Sequence, residues 1–380
     1  MGTIKYWELL EMNYKTYSME DALECIIDYR GKTPQKADSG IPTLSAKSVR
    51  DGYIDYSQCY FISEEEYQRF MVRGFPQIGD VLLTTEAPLG VAARLDRSDI
   101  ALAQRLLTLR GKHGVLDTGF LYYYLRSPIG QAKLLERQTG TTVTGIKQSE
   151  FRKIEIFVPD INAQEKIAYI LSKLDDKIRV NTQINENLRQ QATVIFDSYY
   201  SIDADIPMKA LSEIATIKYG KGLPTKELLP NGFPVFGGNG IIGRYNSYLY
   251  ERPQILVSCR GAASGNILVS YPKSFVTNNS LVLELYDYRY FHFIKQYLLE
   301  NPLYSYATGS AQPQITIDNI KDVQVPYPEY DSIQSLTEQL SYYADMHYHN
   351  ICENEWLASV RDTLLPKLMS GELDVSDLDL

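Results

Sequence analysis

Two short segments carry residue types suited to chemistry at adenine. Phe236-Gly-Gly238-Asn-Gly240 has the FxGxG spacing of a loop that cradles S-adenosylmethionine. Asn301-Pro-Leu-Tyr304 is one residue away from the NPPY-type motif that holds a flipped adenine. Together they would describe a methyltransferase, but neither sits in the element its chemistry needs. A cofactor-cradling glycine loop follows a buried strand and opens a helix. This one runs into Ile-Ile-Gly-Arg-Tyr-Asn, which reads as a turn into a short strand. Asn301-Pro302 ends a helix-like stretch, Leu303 replaces the second proline, and Ser-Pro-Ile-Gly130 stands at the comparable place upstream as a helix terminator. Both motifs therefore read as coincidental, and a non-catalytic chain is expected. Metal chemistry is no better supported. Cys25, Cys59, Cys259 and Cys352 form no CxxC pair. Of the four histidines, His347 and His349 are close in sequence but two apart on a helix, so they point in different directions. No metal site, cofactor or catalytic residue is expected in this chain.

The elements around these segments define the class. The chain has 380 residues, 44% of them apolar and 22% charged, which suits two or three domains with their own cores. No apolar run approaches the roughly 18–20 residues of a membrane helix. The opening MGTIKYWELLEMNYK lacks a secretory pattern, and Tyr6 stands where a myristoylation site wants Ser or Thr. A cytoplasmic protein without membrane contact is expected. The net charge of −9 is concentrated at one end, because residues 331–380 hold ten acidic and two basic groups. The preceding blocks are near neutral and leave room for a basic face toward DNA.

The chain is an internal repeat, the feature to be sought first. Thr139-Gly140-Thr-Thr-Val-Thr-Gly-Ile146 returns 169 residues later as Thr308-Gly309-Ser-Ala-Gln-Pro-Gln-Ile315. The same offset carries Ile156 onto Val325, Pro159 onto Pro328, Asn181 onto Asn350 and Asn185 onto Asn354. Upstream the match is gapped: Gly40-Ile-Pro42 resembles Gly232-Phe-Pro234, and Asp80-Val-Leu-Leu83 resembles Gln254-Ile-Leu-Val257. Each copy reads as a strand-rich block, a Thr-Gly turn, a strand ending in proline and a long helix. Runs such as VLLTTEAPLGVAARL and QILVSCRG are bounded by Gly, Pro and Asn, as strands are. A short helix fits FLYYYLRSPIGQAKLL in the first copy and FHFIKQYLLENPLY in the second. Residues 162–199 place Ile167, Leu171, Leu174, Ile178, Leu188 and Ile195 on a seam stepping by three and four, and residues 331–368 do so with Ile333, Leu336, Leu340, Tyr343, Leu357 and Leu364. The period is that of a coiled coil, in helices roughly 55 Å long, and the simplest arrangement packs the two antiparallel. Asn181, Asn185, Asn350 and Asn354 fall near the seam, either as register-setting polar residues or as solvated ones. The expected class is α+β: block 1–160, helix 161–200, block 201–330, then helix and tail 331–380.

At these residues the sequence resembles the specificity (S) subunits of Type I restriction–modification systems. The carriers are TGTTVTGIKQSEFRKIEIFVP leading into NAQEKIAYILSKLDDKI, then IATIKYGKGLPTKE with FPVFGGNGIIGRYN, and the C-terminal LLPKLMSGELDV. The resemblance covers almost the whole chain. It implies two target recognition domains held on an antiparallel helix pair, each reading half of a bipartite sequence in double-stranded DNA. It also implies docking of two methyltransferase subunits, which carry S-adenosylmethionine and the catalysis, and of restriction subunits in systems that cleave. Basic and hydroxyl side chains then position on phosphate, while Arg, Asn and Gln read base edges. In the first block the candidates are Arg30, Lys32, Thr33, Lys47, Gln104, Arg105, Thr141, Thr142 and Lys147. In the second they are Lys218, Tyr219, Lys221 and Lys226, then Asn239, Arg244 and Tyr245, then Arg260, Asn278, Asn279, Ser310, Gln312 and Gln314. A purely structural coiled-coil adaptor would leave both blocks without a purpose.

Overall fold

The computed structural model describes residues 14–140, 144–200, 206–309 and 312–379. They divide into two compact units. Unit 1 takes the described residues up to Ile178 and from Glu355 onward, and unit 2 takes Arg179–Asn354.

Unit 1 contains β1 (Lys15–Ser18), β2 (Leu23–Asp28), β3 (Ile41–Leu44), β4 (Val49–Arg50), β5 (Tyr53–Ile54), β6 (Tyr60–Ile62), β7 (Val81–Thr85), β8 (Leu89–Arg94), β9 (Ala101–Leu102), β10 (Leu106–Gly111) and β11 (Glu155–Val158). Its central sheet is antiparallel in the order β2-β10-β7-β8. The unbroken run Val-Leu-Leu-Thr-Thr of β7 is buried at every position, as a strand covered on both faces must be. In a second sheet β3 pairs antiparallel with β6 and parallel with β9. Strands β1 and β11 pair separately.

Unit 2 contains β12 (Met208–Ala210), β13 (Ala215–Tyr219), β14 (Phe233–Gly237), β15 (Gly240–Tyr245), β16 (Ile255–Ser258), β17 (Ile267–Val269), β18 (Phe275–Val276), β19 (Ser280–Leu285) and β20 (Gln324–Pro326). It repeats three of the sheets, as β13-β19-β16-β17, β15-β14-β18 and β12-β20, whereas the short β4-β5 pair of unit 1 has no counterpart among its described residues. The gapped sequence matches lie on equivalent strands, Gly40–Pro42 with Gly232–Pro234 at β3 and β14, and 80–83 with 254–257 at β7 and β16. The first pair shares its backbone as well. Gly40 and Gly232 have φ of +127° and +124°, and a Cβ at either would stand 2.3 Å from the carbonyl oxygen of Ile62 or Tyr245. Only glycine fits there.

The segment 120–135, expected as one helix, is two: Thr118–Arg126 and Pro128–Glu136. Ser127 is held extended by the proline that follows it. Its hydroxyl then accepts from the Gly130 N–H at 3.1 Å, so the Ser-Pro pair ends one helix and starts the next. In unit 2 the helix Phe291–Glu300 ends before Pro302, and only a short 3-10 helix, Tyr304–Tyr306, follows it.

The long helices are Ile161–Tyr200 and Tyr330–Met369, 40 residues each, or about 60 Å. Their apolar positions do more than face each other. In unit 1, Ile167, Leu171 and Leu364 join the core with Leu365, Leu368, Met369 and Val375. The chain's last helical turn and tail thus complete the unit that its first block begins, and Lys166 Nζ donates to the Ser376 carbonyl at 2.8 Å. In unit 2, Ile195, Leu336, Leu340 and Tyr343 pack with Phe196 and Ile333 into that unit's own core. Leu357 is buried, whereas Leu174, Ile178 and Leu188 are half-buried.

Polar groups fill the stretch between. Asn181 Nδ2 donates to Asn354 Oδ1 (2.9 Å) and Glu353 Oε2 (2.7 Å), and Asn350 Nδ2 donates to Asn185 Oδ1 (2.8 Å). Asn185 also reaches the His347 carbonyl at 3.1 Å. The pairs 181–354 and 185–350 exchange under the 169-residue repeat, so the contact is self-complementary in the way a two-fold interface is. Asn181, Asn185 and Asn350 are buried, so the solvated reading of these three does not hold. In unit 1, Asp175 receives Arg361 at 2.6 Å and the Tyr123 hydroxyl at 2.8 Å, with Arg126 at 3.4 Å. Burial opposes the Arg126 charge, but Tyr122, Asp51 and Asp175 outweigh it and hold the guanidinium above its ordinary value.

Unit 2 has no such compensation at Lys295. This residue lies in the buried face of Phe291–Glu300 with no ion pair among the described residues, and His292 Nδ1 stands 3.5 Å from its Nζ. Burial pulls the ammonium down to about 8, against the attraction of Asp345. Burial, then Lys295, pushes His292 down to about 3 and lowers His347. A folded-state value below the unfolded one means the native state binds fewer protons between pH 8 and 10.5, so stability rises with pH across that window. Lys295→Met is expected to stabilise unit 2 by about 3 kcal/mol at pH 7. That advantage should shrink as pH climbs from 8 to 10.5, as urea denaturation of both proteins at a series of pH values would measure.

Candidate nucleic-acid interface

In unit 1 the sheet ends where several loops meet. Strand β7 finishes at Thr85, whose N–H donates to the Arg105 carbonyl at 3.0 Å, and whose carbonyl accepts from Ile146 N at 2.9 Å. Glu86 then faces Gly145 in an antiparallel bridge, and Gly145 faces Thr139. The Thr-Gly turn is thereby stitched to the tip of the sheet. Arg30, just past β2, donates through Nη2 to the Ile146 carbonyl at 3.1 Å. Gln104 Nε2 donates to Thr33 Oγ1 at 2.5 Å. Arg105 has a φ of +70° and pairs with Glu86 at 2.5 Å. Arg30, Thr33, Gln104 and Arg105 therefore share one edge with the turn, and exposed Lys147 follows Ile146 on it. Lys32 is exposed in the same loop as Thr33, whereas Lys47 is exposed on a separate short 3-10 helix, Ala46–Ser48. Thr141 and Thr142 lie outside the described residues, as does Ser310.

Unit 2 builds the same edge with different side chains. Cys259 N donates to the Asn279 carbonyl at 3.0 Å, and Ile315 N donates to the Cys259 carbonyl at 3.1 Å. Arg260 faces Gln314, and Gln314 faces Thr308. Gly261 N and Ser264 Oγ both reach the Pro313 carbonyl, at 3.0 and 2.8 Å. The β14–β15 hairpin tip joins through Ser258 Oγ, which donates to the Gly238 carbonyl. A Cβ on Gly238 would lie 3.2 Å from the Asn279 carbonyl oxygen. Lys221 N donates to the Val276 carbonyl at 3.0 Å. Lys221, Asn239, Arg260, Asn278, Asn279 and Gln314 thus gather at one edge, with exposed Gln312 in its turn.

The pairing registers make the two edges comparable residue by residue. Leu106 opposite Thr84 corresponds to Ser280 opposite Ser258, so Gln104 and Arg105 take the places of Asn278 and Asn279. Asp28 opposite Leu107 corresponds to Tyr219 opposite Leu281, which sets Arg30 against Lys221. Each edge carries a basic residue, two polar planar side chains and a polar turn. Such side chains contact phosphate and read base edges. The described residues hold no group of three His, Cys, Asp or Glu able to bind a metal.

Other candidates stand apart from this edge. Lys218 is paired with Glu284 at 2.7 Å on the sheet. Tyr219 is exposed at the end of β13, and Lys226 is exposed on a short 3-10 helix, Thr225–Glu227. Arg244 donates to the Gly232 carbonyl at 3.2 Å, and Tyr245 packs edge-on against Phe275. The glycine-rich FxGxG segment is the turn of the β14–β15 hairpin and opens no helix. Asn301 caps its own helix by donating to the Tyr297 carbonyl at 3.0 Å, while Leu303 is buried in the core. Glu86 was missed by sequence reasoning. The match of 80–83 to 254–257, continued three residues, sets it against Arg260.

Comparison with known proteins agrees with this architecture. The profile of the Type I restriction modification DNA specificity domain matches residues 13–190 and again 204–343. The chain is 26% identical over 367 residues to the Type I restriction enzyme MjaIX specificity subunit of Methanocaldococcus jannaschii, covering 83% of this chain and 82% of that protein. It is 23% identical over 333 residues to the EcoprrI specificity subunit of Escherichia coli, covering 79% and 81%. Among solved structures, the S subunit of a Type I system from M. genitalium superposes with a TM-score of 0.63 at 19% identity, covering 96% of this chain and 97% of that one.

Proposed function

The chain belongs to the Type I restriction–modification DNA specificity family, and we propose that its two equivalent loop edges each read one half of a bipartite site in double-stranded DNA. The observation that carries this reading is the repeat of one stitched edge in two units with different side chains at matching places. A duplicated scaffold with divergent polar tips suits recognition of two unlike half-sites. The residues proposed for contact are those gathered at the edges, with Thr141, Thr142 and Ser310 in the same turns by sequence. Catalysis is left to partners, two methyltransferase subunits docked on the helical parts and restriction subunits in systems that cleave, all in the cytoplasm. Domain limits of 1–160 and 201–330 for the two reading blocks, with 161–200 and 331–380 as helices and tail, belong to the same proposal.

The test is a gel shift of the chain assembled with its methyltransferase on genomic fragments, paired with calorimetry. Retarded fragments should share a two-part motif. S-adenosylmethionine should bind the assembly and leave the isolated chain untouched. Uptake of S-adenosylmethionine by the chain alone, or retardation independent of sequence, would overturn the reading.

A further inference from the structure

The two edges carry charges of opposite sign at one matching position, directly beyond β7 and β16. There unit 1 has Glu86 and unit 2 has Arg260. We propose that this position discriminates a base in each half-site: Arg260 takes a guanine, and Glu86 takes the exocyclic amino group of a cytosine.

Four observations support it, and the inference rests on the DNA-reading role of the edges. First, the position is rigid in both units. It follows a residue bonded on one side to Arg105 or Asn279 and on the other to Ile146 or Ile315, and it faces the Thr-Gly turn by a backbone bridge. A side chain that must distinguish bases needs such a fixed base. Second, Arg260 is exposed and has no side-chain hydrogen bond or ion pair among the described residues. An unengaged guanidinium on a rigid tip presents its fork to a ligand, and guanine N7 and O6 are the bidentate match in the major groove. Third, polar residues adjoin it on the backbone: Gln314 faces Arg260 across the bridge to the turn, and the Asn279 carbonyl accepts from the N–H of the preceding Cys259. Fourth, in unit 1 the guanidinium at the Asn279 place belongs to Arg105 and is engaged by Glu86 at 2.5 Å. That pairing neutralises a carboxylate that phosphate would otherwise repel. It leaves acceptor lone pairs on Glu86, and cytosine N4 is the donor that suits them.

The probe is a set of duplexes bearing the motif methylated in cells that carry the complex, with each base pair substituted in turn. With Arg260→Ala in the assembled complex, discrimination at one guanine of one half-site should fall roughly 5- to 150-fold, while binding to the intact motif weakens less and the other half-site keeps its profile. Arg260→Lys should keep affinity and lose part of the discrimination, and it decides the matter if the alanine variant fails to assemble. Glu86→Gln should relax one position of the opposite half-site. A uniform loss of affinity across all duplexes would make Arg260 a phosphate contact and overturn the inference, as would an unchanged motif. Exchange of the whole unit 2 block is the control. If that exchange alters one half of the motif while Arg260→Ala does not, only this assignment fails. If it alters neither half, the DNA-reading role fails with it.

Discussion

Replacing the second block with that of a relative is expected to rewrite one half of the methylated motif and leave the other half intact. Each unit has its own central sheet and its own core, so the recognition edge of one does not depend on residues of the other. The place of the cut matters. Strand β12 pairs with β20, Lys209 opposite Val325, so an exchange ending at residue 307 would separate the partners of that ladder. Residues 206–328 are the better cassette. Four helix residues must also suit the donor, because Ala192, Phe196, Ile333 and Leu340 are buried in the core of unit 2. A cassette moved without them meets the wrong packing partners, at a cost of about 1–3 kcal/mol for each misfit. The readout is sequencing of methylated adenines in cells carrying the chimera. A change in both halves, or in neither, would contradict independent reading by the two units.

The outline of the fold was legible because the repeat writes it twice. The Thr-Gly turn, the proline-terminated strand and the helical period recur at one offset, and each is a local signal. What the sequence concealed was non-local. The tail 365–375 reads as the end of a helix, yet its Leu365, Leu368, Met369 and Val375 close a core that begins near Met19. No periodicity announces a partner more than 300 residues away. The seam positions had the right spacing, but spacing does not say whether an apolar face meets the other helix or a sheet, and here many positions meet both. For the proposed reading edges, loop composition singled out Arg30, Gln104 and Arg105 in one unit and Lys221, Asn278 and Asn279 in the other, and register brings each set to the sheet end of its own unit. The same criterion also took in Lys218, Arg244 and Tyr245, whose polar atoms or rings are engaged within the fold. Glu86 escaped because an acidic residue is not what a search for DNA contacts looks for. Its interest arises only from the matched register that sets it against Arg260.

Lengthening both long helices by four residues is expected to lengthen the unread gap between the half-sites by one or two base pairs while each half keeps its sequence. Four residues add about 6 Å of helix and a rotation about 40° beyond a full turn. Base pairs rise about 3.4 Å, and one base pair turns the duplex by a similar angle, so a displaced reading edge still faces its groove. The insertion in the first helix belongs between Asn185 and Leu188, clear of the apolar positions from Ala192 onward that enter the core of unit 2. The repeat offset alone would put the matching insertion after Asn354. The hydrogen bonds say otherwise. Asn185 pairs with Asn350 and reaches the His347 carbonyl, while Asn181 pairs with Asn354. An insertion after Asn354 would carry Asn350 and Asn354 out of register with Asn185 and Asn181. That would leave buried amides unpaired, at a cost of roughly 1–3 kcal/mol each. Placed between His347 and Asn350, the second insertion lies opposite the first and preserves both asparagine pairs. The doubly extended protein should therefore assemble with its methyltransferase and methylate a motif with a wider gap. The variant extended after Asn354 should assemble poorly. A well-assembled, active double variant whose motif keeps its original gap would show that something other than these helices sets the separation of the half-sites.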